Sequence, residues 1–179
     1  MTAAGILIAV EGANGGAVRA AAHSLTTDGR RGAGISEWDA SGLFEDMAVA
    51  PEEAGAPSAR SLLLLYAADL AFRIRWEIRP ALDEGRDVIA APYVETAIAF
   101  GRAAGLPGGW LRNLFRFAPR PDETHRIEAL LAHVADRRGF VEFGSERLVG
   151  TRSRLTTRQL IDRANRYIKP KASPSSPRW

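Results

Sequence analysis

The chain has 179 residues, 46% apolar and 25% charged, the make-up of one globular domain large enough for a proper core. It has no cysteine, which excludes disulfides, thiolate metal sites and cysteine nucleophiles. Its formal net charge of +3 is unevenly spread: residues 1–111 carry 9 Arg and 14 acids, residues 112–168 carry 12 Arg and 7 acids, and residues 169–179 carry Lys169, Lys171 and Arg178 with no acid. The sequence pI of about 9.8 therefore traces to the final stretch rather than to a basic body, and nucleic acid is not favoured as a partner. The arginine-rich second half reads as solvated helix faces. His23, His125 and His133 show no metal-ligand spacing, so no metal is expected. The longest apolar stretch, Ser61–Phe72, is too short for a membrane span and contains Asp69. With no leader-like segment, a cytoplasmic protein is the expectation.

Gly5–Val10 is a continuous apolar run, which predicts a central parallel strand covered on both faces. A glycine turn, Gly12–Gly16, leads to an Ala-rich helix from about Ala17 to Thr27, ended by Asp28-Gly29. Gly32–Ile35 reads as a short strand, Asp39–Ala48 as a short helix and Pro51–Pro57 as a loop. Ser61–Leu82 has apolar residues every three to four places and is apolar nearly all round in its first half, so it predicts a long helix that is deeply buried or a subunit contact. Asp87–Ala91 is a buried strand; Tyr93–Ala104 and Gly108–Phe115 are helices; Glu123–Ile127 is a weak strand. Ala129–Arg137 is helical, Gly139–Phe143 ambiguous and Arg147–Gly150 a last short strand. Thr156 with Gln159 makes a capping box for a final helix to Ile168. Residues 1–168 form the domain, and 169–179 a basic Pro/Ser-rich tail. Strands alternating with helices give a mostly parallel α/β sheet.

Strand, glycine turn and helix form a phosphate cradle when backbone N–H groups converge on an anion. A P-loop reads G-x-x-x-x-G-K-[ST], and counted from Gly12 its last three places hold Ala17, Val18 and Arg19. Both lysines of the chain lie in 169–179, so none in the body reaches a β- or γ-phosphate. The pairs Glu45-Asp46, Glu52-Glu53 and Asp122-Glu123 read as solvated surface, and Trp38, Trp76 and Trp110 as packing residues.

The segment from Leu63 to Phe100 resembles the thymidylate kinase family, whose motifs run L-L-Y-A-A-D-R-A-x-H, I-x-P-A-L-x-x-G and V-I-x-D-R-Y-V-x-S-S-x-A-Y-Q. The glycine turn is similar to the family's F-E-G-x-D-G-x-G-K-[ST]-T at Glu11, Gly12, Gly15 and Gly16, and Pro121-Asp122 to a P-D before the fourth strand. The resemblance implies a three-layer P-loop NTPase-like fold, a reduced lid after Ile127, and a two-fold dimer interface on the helix Ser61–Leu82.

The departures fall on the family's chemistry. Its loop lysine is Val18 and its Mg-holding hydroxyl Arg19; D-R-Y is Ala91-Pro92-Tyr93; the arginine after A-A-D is Leu70; the base-reading glutamine is absent after Phe100. Phosphoryl transfer rests on positioning and charge from those groups. The resemblance therefore implies a catalytically inactive, structural or interaction subunit with no cofactor, working as a homodimer or heteromer, with the tail available to dock on a partner. A degenerate nucleotide site would comprise Gly12, Asn14, Gly15, Gly16 and Arg19, with substrate-site remnants Glu37, Tyr93, Glu95 and Phe100. Two alternatives stay open: a nucleotide sensor using the helix dipole alone, and a divergent active kinase using Mg, ATP and dTMP. The turn also resembles that of short-chain dehydrogenases, with Glu37 or Asp39 as ribose partner. Their Tyr-x-x-x-Lys pair would fall on Tyr167 and Lys171, interrupted by Pro170.

Overall fold

The structure is a computed structural model that describes residues 4–27, 30, 32–43, 58–127 and 157–168. Strand β1 (Leu7–Glu11) is followed by helix α1 (Gly15–Thr26) and β2 (Gly34–Glu37). A long helical stretch comes next: α2 (Ala59–Arg73), a π-helical turn over Ile74–Ile78, and α3 (Arg79–Asp83). Strand β3 (Val88–Ala91), helices α4 (Val94–Ala103) and α5 (Gly108–Leu114), strand β4 (Glu123–Arg126) and helix α6 (Thr157–Ile168) complete it.

The strands form one parallel sheet in the order β2-β3-β1-β4. β1 lies inside it, with Leu7 opposite Val88 and Ile8 opposite Glu123. Alternation divides its side chains between two cores. Leu7 and Ala9 join Val88 and Ala90 in a core with α2, α4 and α6, while Ile8 and Val10 join Ile89 and Ala91 under Val18 and Ala22 of α1. Covering both faces is why the run reads as unbroken apolar sequence. The three layers match the expectation.

The helix predicted over Ser61–Leu82 runs unbroken from Ala59 to Asp83, with the π turn near its end. Leu62, Leu63, Tyr66, Ala67 and Leu70 are buried. Leu64, Ala68, Phe72 and Trp76 follow one another at four-residue spacing along an exposed face. Trp76 is 62% exposed, so it is not the packing residue expected; the Arg75 guanidinium stands over its ring instead. Gly85 ends the helix at φ +78, a conformation that favours glycine, and its N–H returns to the Leu82 carbonyl.

β4 is polar, Glu-Thr-His-Arg, yet pairs along β1. Asp122 anchors it: its carboxylate accepts the Leu7 N–H at 2.8 Å and its own N–H donates to the Leu7 carbonyl at 2.8 Å. Glu123 pairs with Arg30 at 3.0 Å, and that bond holds its carboxyl below the usual range. Asp122-Glu123 is thus a structural clip rather than idle surface. Residues 39–41 form a turn. The remainder of the helix predicted to Ala48, the Pro51–Pro57 loop, the lid, the elements predicted between 129 and 150, the Thr156 cap and the tail 169–179 lie outside the described residues. Among those described, no helix is long and apolar enough to cross a membrane.

Candidate functional site

In an open parallel sheet the ligand crevice forms where successive connections leave in opposite directions, above the strands' carboxyl ends. Here that point lies between β1 and β3. A small cleft sits there, bounded by Gly15, Val18 and Arg19 of α1, Glu37 and Trp38 after β2, and Ala91-Pro92 after β3. Its free volume is about 10 Å³, room for one water molecule.

The glycine turn is tighter than the sequence suggests. Helix α1 begins at Gly15 rather than Ala17, because the Asn14 side chain caps it and accepts the Ala17 N–H at 3.0 Å. A donor that a phosphate would use is taken by the loop itself. The Gly12 N–H is also taken, donating to Thr96 Oγ1 at 3.0 Å. Val18, in the lysine place, is 2% exposed and turned into the α1 core. A Cβ on Gly12 would meet Val18 Cγ2 at 2.8 Å, so glycine is needed there for the two to approach.

Below the turn, the Glu11 carboxylate occupies the amino end of α4. It accepts the N–H groups of Tyr93 at 3.3 Å, Glu95 at 2.9 Å and Thr96 at 2.9 Å, and the Thr96 hydroxyl at 2.5 Å. Burial pushes this carboxyl up to about 7, against hydrogen bonds from Thr96 and Glu95 that pull it down. The helix end that could receive a ligand anion is already filled by a side chain from β1.

Arg73 lies fully buried beneath the cleft. Its guanidinium donates to Ser36 Oγ at 2.9 Å, to the Ser36 carbonyl at 2.5 Å and to the Pro92 carbonyl at 3.2 Å, tying the ends of β2 and β3 together. Ser36 Oγ in turn donates to Glu77 at 2.6 Å, from within the π turn. Asp69, the aspartate of A-A-D, is also buried and accepts the Asp39 and Ser41 N–H groups, each at 3.0 Å. It fixes the turn that follows Glu37. Tyr66 donates to the Tyr93 carbonyl at 3.0 Å, and burial raises its phenol's pKa.

Of the residues singled out in the sequence, the fold brings Gly15, Arg19 and Glu37 to the cleft. Arg19 pairs with Glu37 at 3.4 Å, both partly exposed. Gly12 lies beneath Val18, Asn14 is a helix cap and Gly16 is in the first turn of α1. Tyr93 and Phe100 are each 1% exposed and belong to the core; the Tyr93 hydroxyl donates to the Pro119 carbonyl at 2.9 Å. Glu95 is held by Arg126 through two bonds of 2.6 and 2.7 Å. The residues missed are Glu11 with Thr96, and Arg73 with Ser36. Arg73 stands at the last place of A-A-D-R-A-x-H, a substitution visible in the sequence, whereas no local pattern joins Glu11 to Thr96.

Thymidylate kinases match this chain in sequence. The probable thymidylate kinase of Pyrococcus abyssi is 44% identical over 59 residues, 33% of this chain and 29% of that protein. The probable thymidylate kinase 2 of Saccharolobus solfataricus is 30% identical over 125 residues, 69% of this chain and 59% of that protein. The fold of this chain is that of solved thymidylate kinase structures. The Candida albicans enzyme superposes with a TM-score of 0.65 at 18% identity, covering 94% of this chain and 78% of that one. For the Ehrlichia chaffeensis enzyme the TM-score is 0.61 at 19% identity, covering 70% and 72%. This chain is a relative of the thymidylate kinases. No protein-family model matches it. The matched stretches span less than two thirds of the length of these sequence relatives.

Proposed function

We propose that this thymidylate-kinase-like chain does not transfer phosphoryl groups and serves as a structural or interaction subunit. The observation that carries the reading is Val18: the side chain in the lysine place is buried against Gly12, inside the α1 core. Two further features support it: Asn14 occupies the Ala17 N–H in the first turn of α1, and the cleft holds about one water. No Mg or ATP is required, and the charge of Arg19 is paired with Glu37 at 3.4 Å. The surface offered for assembly is the exposed row Leu64, Ala68, Phe72 and Trp76, through which the chain pairs with a second copy or a related subunit.

A coupled assay with ATP and dTMP tests the first half, expecting no turnover from folded protein. Turnover overturns the reading in favour of a divergent kinase. Calorimetry with thymidine and adenine nucleotides at millimolar concentration is expected to give no heat; saturable heat without turnover makes the chain a nucleotide sensor. Light scattering is expected to show a dimer, and a monodisperse monomer without a partner removes the assembly role.

A further inference from the structure

Residues 96–121 contain no acid and carry Arg102, Arg112, Arg116 and Arg120, all exposed. Folding brings part of this stretch against α6. The Arg102 guanidinium lies 4.5 Å from the centre of the Tyr167 ring, and Tyr167 remains 47% exposed. Arg102 and Arg112 converge over Gly108: a Cβ there would stand 3.8 Å from Arg102 Nε and 3.4 Å from Arg112 Nη1. Among the described residues neither arginine has a carboxylate partner. Water screens their mutual repulsion only in part, and an anion seated between them removes it. On α6, Arg163 lies one turn before Tyr167 and Arg166 beside it; both are exposed, while Leu160, Ile161, Ala164 and Ile168 face inward.

We propose that this surface, built on Arg102, Arg112, Arg163, Arg166 and Tyr167, binds single-stranded nucleic acid. Each guanidinium offers a planar fork that matches a phosphodiester bidentately. The tyrosine is already stacked on one cation and exposed, so an unpaired base finds a ring to lie against. A duplex would use the charges and leave the ring idle. Two of the acids that share residues 112–168 with Arg112, Arg163 and Arg166, namely Asp122 and Glu123, are committed to β1 and Arg30. The proposal does not depend on the crevice or on whether the chain is a kinase.

Fluorescence anisotropy with labelled oligo-dT and oligo-U, against a duplex of equal length, tests it on the 179-residue chain. With about four phosphate contacts, affinity for a single strand falls about 50-fold between 50 and 200 mM salt. Arg102→Ala and Arg112→Ala each reduce the slope of log affinity against log salt by about 0.7. Tyr167→Leu weakens binding at least about fivefold with the salt slope unchanged. A variant with Lys169, Lys171 and Arg178 all changed to Ala retains the arginine and tyrosine effects. Thermal melting followed by circular dichroism verifies that each variant is folded. The relative affinities for oligo-dT and oligo-U assign the strand as DNA or RNA. No binding at 50 mM salt overturns the proposal. So does binding that only the 169–179 variant abolishes, or that favours the duplex or vesicles of anionic lipid over the single strand.

Discussion

Restoring the P-loop lysine is the most direct test of a closed cradle. Val18 is 2% exposed and packs with Ile8, Val10, Ala22, Ile89 and Ala91. Val18→Ala removes about two methylene equivalents, worth about 1.6 kcal/mol in transfer, and the residual cavity raises the loss to about 2–3 kcal/mol. Val18→Lys loses the same packing and places an ammonium in an apolar core. The cleft that position 18 borders also holds Arg19, a like charge. We expect Val18→Lys to cost about 3–5 kcal/mol, more than Val18→Ala. Urea denaturation followed by circular dichroism at pH 7 measures both, and the coupled ATP/dTMP assay is run on the same samples. The double variant Val18→Lys/Arg19→Thr should remain inactive, because Ala91 and Leu70 still lack the family's carboxylate and arginine. A lysine variant as stable as the parent, or any turnover by the double variant, refutes the reasoning: position 18 would then face an open cradle.

Glu11 makes stability depend on pH in an unusual direction. Its carboxyl is raised from 4.5 to about 7 in the folded state, so the folded chain binds the extra proton between those values and stability falls as pH rises through that window, levelling above 7. The stability of the parent minus that of Glu11→Gln should decline by about 3 kcal/mol from pH 4.5 to 7.5 in urea titrations, and a flat difference removes the claim. Arg73→Lys should cost about 2–4 kcal/mol by the same method, since one ammonium does not bridge Ser36 and Pro92; an unchanged midpoint contradicts the assigned role. Phe72→Glu/Trp76→Glu should convert the expected dimer to a monomer in light scattering without lowering the melting temperature. A persisting dimer moves the interface elsewhere.

The fold was largely legible because its strands carry their own signal. Ile6–Val10 and Val88–Ala91 are short apolar runs bounded by turn residues, which suit an interior parallel strand. The long helix was equally readable from its spacing. What escaped were tertiary commitments of polar residues. Asp122 looked solvated because its partner is the backbone of Leu7, 115 residues away. Tyr93 and Phe100 sit in motif places that suggest a substrate site, yet each is 1% exposed and belongs to the core. Trp76 reads as a packing residue in the sequence, but helical phase turns it outward. Helix α1 began two residues early because a side-chain cap at Asn14, rather than apolar periodicity, sets its start.

These commitments share a direction. A phosphate site requires donors without partners, a cation without a counter-ion and space for the ligand. At this crevice the corresponding groups are satisfied from within the chain. Asn14 takes a helix N–H, Thr96 takes the Gly12 N–H, Glu11 takes the amino end of α4, and Glu37 takes the charge of Arg19. Val18 is packed against Gly12. Unpaired buried donors are costly, so acceptors supplied from within the chain stabilise this crevice. These contacts are coupled: changing one side chain leaves the others committed, and an anion entering at the turn would have to displace several of them together. Arg102 and Arg112 present the opposite condition, two converging cations with no carboxylate among the described residues. By that criterion the surface poised to receive an anion lies on α4, α5 and α6 rather than at the glycine turn.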